Sequence, residues 1–126
     1  MTMGLTEHNI SPVPDCPFCR IVSRSLPAAI VWEDDLCVVF RDLNPVAPVH
    51  VLLIPRNHVE SMADCTREDL DLLGHLLIKA SEIARDMGLE EKGYRVVLNS
   101  GADAGQSVWH LHLHLLAGRS FAWPPG

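Results

Sequence analysis

A chain of 126 residues has room for one hydrophobic core and one domain. It is 48% apolar and 21% charged, with a formal net charge of −6, so no basic field marks it for nucleic acid or an anionic membrane surface. No run approaches the roughly 20 apolar residues of a membrane span, and MTMGLTEHNISPVPD lacks the basic and apolar regions of a secretory signal.

The expectation is therefore a loose arm over residues 1–14, carrying His8, followed by one cytoplasmic domain over 15–126. Cysteines 16, 19, 37 and 65 then point to thiols or a metal site rather than to a disulfide framework.

In chain order, CPFCRIVSRS reads as a short helix closed by Pro27. AAIVWED and LCVVFRD read as strands of a hairpin turning at Asp34 and Asp35. NPVAP is a turn with two prolines, and HVLLIP a third strand. Thr66 suits a helix N-cap, with Glu68 and Asp69 in the first turn. Leu70, Leu73, Leu77, Ala80, Ala84 and Met87 then form one apolar stripe, and Gly88 suits the C-terminal cap. YRVVLNS is a fourth strand, GADAGQS a glycine-rich loop, and VWHLHLHLLA a fifth strand. Neighbouring strands with one inserted helix predict an antiparallel sheet in an α+β fold.

The fifth strand poses the chemical question. Alternation puts Trp109, Leu111, Leu113 and Leu115 on a core face, and Val108, His110, His112, His114 and Leu116 on the other. Successive histidines are then about 6.6 Å apart at Cα and the outer two about 13 Å, too far for all three to bind one ion. The alternative is an incidental polar strip. The preceding loop favours chemistry, because Gly101, Gly105, Gln106 and Ser107 offer donors beside the rings, as an anion pocket needs. A neutral imidazole can attack phosphorus while its neighbours donate protons.

QSVWHLHLHLL resembles the histidine-triad motif, and the likeness extends from about Cys16 to Gly126. It takes in CPFCRIVSRSLPAAIVWEDD, FRDLNPVAPVHVLLIPRNH, LLGHL, GYRVVLNSG and AGRSFAWPPG. Together these resemble the Hint branch, histidine-triad nucleotide-binding proteins that hydrolyse nucleoside phosphoramidates. The resemblance implies a half-barrel antiparallel sheet of about five strands, one long helix, a short N-terminal helix and a homodimer. It makes His112 the nucleophile, assigns phosphate and leaving-group contacts to His114 and Ser107, and gives His50 a supporting role from another strand. Asn99, Gly105 and Gln106 match the phosphate lining, and Asp42 the acceptor of two ribose hydroxyls, a task that suits an acceptor-only carboxylate. Phe18, Ile21, Phe40, Leu43 and Leu52 match the purine walls, although they also read as plain core. The ligands implied are purine nucleoside monophosphates such as AMP or GMP, and WPPG matches the tail on the leaving-group side.

A phosphoramidate bond breaks when the amine leaves protonated, which requires a general acid. His112 needs one nitrogen free and the other donating to a fixed acceptor, expected to be a backbone carbonyl. No acidic cluster or Walker motif suggests Mg²⁺. CPFC has two readings: a redox pair, which lacks the upstream strand such pairs require, and zinc. The resemblance completes the zinc set as Cys16, Cys19, His58 and His110. The competing functions are dinucleoside polyphosphate hydrolysis and a non-catalytic nucleotide-binding adaptor.

Overall fold

Turn chemistry lays down the first hairpin. Asp34 ends strand β1 (Ile30–Glu33), and its Oδ1 accepts the amides of Leu36 and Cys37 at 2.8 and 2.9 Å, starting strand β2 (Cys37–Arg41). In the computed structural model, which describes residues 13–126, three further strands complete one antiparallel sheet. They are β3 (Val49–Pro55), β4 (Arg95–Val97) and β5 (Leu113–Ala117), in the order β1-β2-β3-β5-β4. A short helix α1 (Pro17–Val22) and a long helix α2 (Leu70–Asp86) complete the expected α+β arrangement. Of the arm expected over residues 1–14, residues 1–12, with His8, lie outside the described residues.

The pleat divides the sheet into two chemically different faces. Cys37, Val39, Val51, Leu53, Leu113 and Leu115 pack against α2. Val38, Phe40, Leu52 and Ile54 pack against Phe18 and Ile21 of α1. His50 and His114 alternate with the α2-facing residues and so share the α1 side of the sheet.

Two expectations need correction. Thr66 caps the helical region as expected, through a capping box with Asp69, but the first turn is 3-10 and α2 begins at Leu70. The buried arc of α2 is Leu76, Ala80, Ile83 and Ala84, whereas Leu70 and Leu77 are 61% and 56% exposed. The sequence stripe had merged two faces about 100° apart, because leucine occupies both.

The fifth strand is also shorter than its alternation suggests. Its ladder runs only from Leu113, and Trp109 is 47% exposed rather than in the core. Continuing the register from Leu53↔Leu113 would set Leu111 opposite Pro55. Proline has no N–H to donate, and the Pro55 carbonyl is taken by the His110 ring. Leu111 instead donates to the Val59 carbonyl at 2.6 Å, and residues 108–112 leave the sheet.

Among the described residues no helix is long and apolar enough to cross a membrane. Gly88 takes the positive φ of 74° that a helix C-terminal cap requires.

Asp34 also ties the hairpin to α2, since His75 Nε2 lies 2.8 Å from its Oδ2. Burial opposes its charge, yet the two amides and the His75 ring hold its carboxyl well below the usual range. Such a group stabilises the fold above its unfolded pKa, about 3.9, and loses that contribution as pH falls below it. Asp34→Asn should cost about 2 kcal/mol at pH 7. Denaturant melts at a series of pH values should show the gap narrowing below about pH 4.

Candidate active site and metal cluster

Register brings the first two imidazoles together. His114 pairs with Leu52, and His50 with Leu116, so the two histidines are diagonal neighbours on one face of β3 and β5. Their rings meet with His50 Nε2 2.9 Å from His114 Nδ1. Burial lowers the pKa of His50, His112 and His114, the last to about 4, and of His110, also to about 4. All four rings are therefore neutral at physiological pH. Each carries one proton, and its partners decide which nitrogen holds it.

Those partners leave little choice. The Val46 amide donates to His50 Nδ1 at 3.1 Å, so the His50 proton sits on Nε2 and points to His114 Nδ1. His114 Nδ1 accepts, so its own proton sits on Nε2. His112 Nδ1 donates to the His110 carbonyl at 2.7 Å, the backbone acceptor anticipated from the sequence, and leaves Nε2 with a free lone pair. The ring centroids of His112 and His114 are 5.0 Å apart. A lone pair and an N–H donor thus stand side by side.

Asp42 lies at the same end of the sheet. Its Oδ2 is 3.3 Å from His50 Nε2, and its Oδ1 accepts the Asn44 amide at 2.8 Å. Phe18 sets its edge or face 5.1 Å from His112, 5.8 Å from His110 and 5.5 Å from Phe40, centroid to centroid. Phe18, Ile21, Phe40 and Leu52 are buried in the apolar layer under α1, while Leu43 is 87% exposed. Four of the five expected purine walls are therefore buried, and Leu43 projects from the loop after β2.

Asn99, Gly105, Gln106 and Ser107 lie on the segment between β4 and β5. Gln106 is buried and braces that loop: Oε1 accepts the Gly101 amide, and Nε2 donates to the Glu60 and Val108 carbonyls at 2.7 and 3.0 Å. The Gly105 and Gln106 amides close the loop on Ala102 and Gly101. Ser107 is exposed, on a cleft of about 320 Å³ also lined by Cys16, Pro17, His58, Glu60 and Trp109.

The second constellation sits on the other side of His110. The ligand atoms of Cys16, Cys19, His58 and His110, all buried, lie within 4.8 Å of one another. Cys16 Sγ is 3.3 Å from His110 Nδ1, and Cys19 Sγ is 3.3 Å from His58 Nδ1 and 3.5 Å from His110 Nδ1. A Cys₂His₂ zinc tetrahedron has edges of roughly 3.3–3.8 Å, so the donors fit one ion with little movement. His110 Nε2 donates to the Pro55 carbonyl at 2.9 Å, which turns the bare Nδ1 toward the sulfurs as a ligand requires. The Cys19 amide bonds Cys16 Sγ at 3.3 Å, the acceptor role a thiolate fills. Burial pushes the Cys19 thiol up to about 11 when no cation neutralises it. Cys16 and Cys19 bracket the first turn of α1 against histidines, and the described residues just before them, 13–15, form no strand, unlike the redox arrangement.

Two groups that sequence reasoning missed are main-chain: the Val46 amide and the Pro55 carbonyl, which orient His50 and His110. No side-chain signal marks them, because every residue carries such groups.

With this geometry in view, comparison with known proteins is direct. The profile of the HIT domain matches residues 23–121. An uncharacterized HIT-like protein of Synechocystis sp. is 56% identical over 112 residues, 89% of this chain and 97% of its own length. The crystal structure of a HIT family hydrolase from Legionella pneumophila Philadelphia 1 superposes with a TM-score of 0.87 at 46% identity, covering 89% of this chain and all of the other. That of a Zn-bound histidine triad family protein from Mycobacterium smegmatis superposes with a TM-score of 0.72 at 32% identity, covering 84% of this chain and 76% of the other. The row of histidines, the sheet that carries it and these similarities agree: the chain belongs to the HIT domain family.

Proposed function

We propose that the protein is a hydrolase of the Hint type, cleaving the P–N bond of purine nucleoside phosphoramidates of AMP or GMP through a histidyl-nucleotide. One observation carries the reading: the free Nε2 of His112 beside the Nε2–H of His114. His112 Nε2 attacks phosphorus, and the P–N bond breaks as the amine takes a proton from His114 or the Ser107 hydroxyl. The nucleotidylated ring gains positive charge, which the His110 carbonyl stabilises through the His112 Nδ1–H. Water then attacks phosphorus and returns His112 with nucleoside monophosphate as product. Asp42 accepts the ribose hydroxyls, Phe18, Ile21, Phe40, Leu43 and Leu52 border the purine, and Asn99, Gly105 and Gln106 frame the phosphate.

Replacing His112 with Ala should lower turnover of an adenosine phosphoramidate by about a thousandfold or more and leave AMP affinity within a few-fold. Near-normal turnover would remove His112 as nucleophile. Diadenosine polyphosphates in the same assay separate the sister activity, and AMP binding without any turnover would indicate an adaptor.

We further propose a structural zinc on Cys16, Cys19, His58 and His110, supported by the fit of the four donors and by the Zn-bound relative. The ion would fasten α1 to the sheet and take no part in the reaction. Elemental analysis of protein purified without added metal should find about one zinc per chain, and chelation should lower the melting temperature and expose two reactive thiols. Zinc well below one per chain, with both thiols reactive, overturns it.

A homodimer is the third part of the reading. Leu70, Leu77 and Ile78 form an exposed apolar stripe on α2, and β4 is an edge strand, so one partner surface would cover both. Ile78→Glu should shift the sedimentation coefficient from dimer to monomer; a wild-type monomer refutes the assembly.

A further inference from the structure

The proposed reaction leaves Arg119 unused, yet the fold takes trouble to place it. After β5 ends at Ala117, Gly118 turns the chain at a φ of 94°, and a Cβ there would lie 2.7 Å from Cβ of Pro48. Only glycine permits that approach. The turn lays Arg119 over the two-proline loop, where Nε and Nη2 both donate to the Val46 carbonyl, at 3.3 and 3.1 Å. Nη1 donates to the Ser120 carbonyl at 3.0 Å, and the Phe121 ring lies 4.4 Å from the guanidinium carbon. These contacts hold the planar group in one orientation.

Val46 joins this clamp to the histidines. Its carbonyl is held by Arg119, and its amide donates to His50 Nδ1 at 3.1 Å. That amide makes His50 Nδ1 an acceptor and so puts the His50 proton on Nε2, facing His114 Nδ1 at 2.9 Å, and Asp42 Oδ2, 3.3 Å from the same nitrogen, favours the same tautomer.

We propose that Arg119 is a positioning residue for the histidine row: by fixing Val46 it sets the tautomer of His50 and, through His50, the Nε2–H of His114. Without the clamp the loop gains freedom and Nδ1 loses its fixed donor, so a share of the His50 rings, against the pull of Asp42 on Nε2, moves its proton to Nδ1 and presents a lone pair to His114. His114 must then carry its proton on Nδ1, and the nitrogen facing the site becomes an acceptor, useless to a departing amine. The effect on turnover rests on the hydrolase reading; the effect on the tautomers does not.

The test is ¹⁵N NMR of the histidine rings in the full-length protein as purified, with kinetics alongside. Wild type should show His50 and His114 each as a single Nε2–H tautomer. Arg119→Ala should show mixed tautomers at both, with kcat lowered about ten- to hundredfold and KM changed less than about threefold. Arg119→Lys, which keeps a donor for the Val46 carbonyl, should recover part of the loss. Arg95→Ala is the control, because Arg95 holds the same tail at the Ala122 carbonyl without touching Val46. Unchanged tautomers in Arg119→Ala, equal changes in Arg95→Ala, or no recovery with Lys would overturn the assignment. If wild type turns over neither phosphoramidates nor polyphosphates, the hydrolase reading fails, and the ring spectra still decide the role of Arg119.

Discussion

Burial removes the charge from four imidazoles that stand nearly in contact, and the rest of the site depends on that neutrality. A protonated ring has two donors and no lone pair, so it can neither attack phosphorus nor accept from a neighbour. A neutral ring has one of each, and its partners choose their places. The backbone makes three of those choices. Val46 N–H sets His50 with the Asp42 carboxylate acting in the same sense, the His110 carbonyl sets His112, and the Pro55 carbonyl sets His110. His114 is set by His50. A row of chemically identical side chains thereby acquires different roles.

Pro55 has more consequence than its place at the end of β3 suggests. It ends the ladder with β5, which frees residues 108–112 from the straight geometry that would space their histidines too widely to cooperate with other elements. His110 turns to the cysteines, His112 to Phe18, and only His114 remains a strand residue. The proline also supplies the carbonyl that aims His110 Nδ1 at the cysteine sulfurs. One residue therefore limits the strand and orients a ring.

Helix α1 is shared by both constellations. Its first turn presents Cys16 and Cys19 to His58 and His110, while Phe18, between them in sequence, packs on His112. Anything that fastens the cysteines to the sheet also steadies the aromatic wall beside the free His112 nitrogen. The coupling is mechanical, because a six-residue helix buries too little surface to hold itself in place. His110 makes the second link, since its ring faces the cysteines while its carbonyl orients His112.

Much of this was legible in the residues. Alternation and turn signals marked the five strands in order, Asp34 announced the hairpin, and Thr66 and Gly88 bracketed the long helix. The HxHxH run and the CxxC pair announced chemistry because those residue types are scarce and their spacing is tight. What sequence could not decide follows from distance along the chain. Leu70 and Leu77 read like core leucines until the packing of α2 on the sheet chose the face through Leu76 and Ile83. Trp109 read as buried until Pro55, 54 positions earlier in the chain, ended its ladder. Above all, the protonation pattern of the row comes from main-chain groups at Val46, Pro55 and His110, which every residue possesses and only the fold can aim. The sequence by itself determined which side chains are present and in what periodic order; tertiary structure alone decided which nitrogen of each ring carries the proton, because that depends on partners brought together from distant parts of the chain.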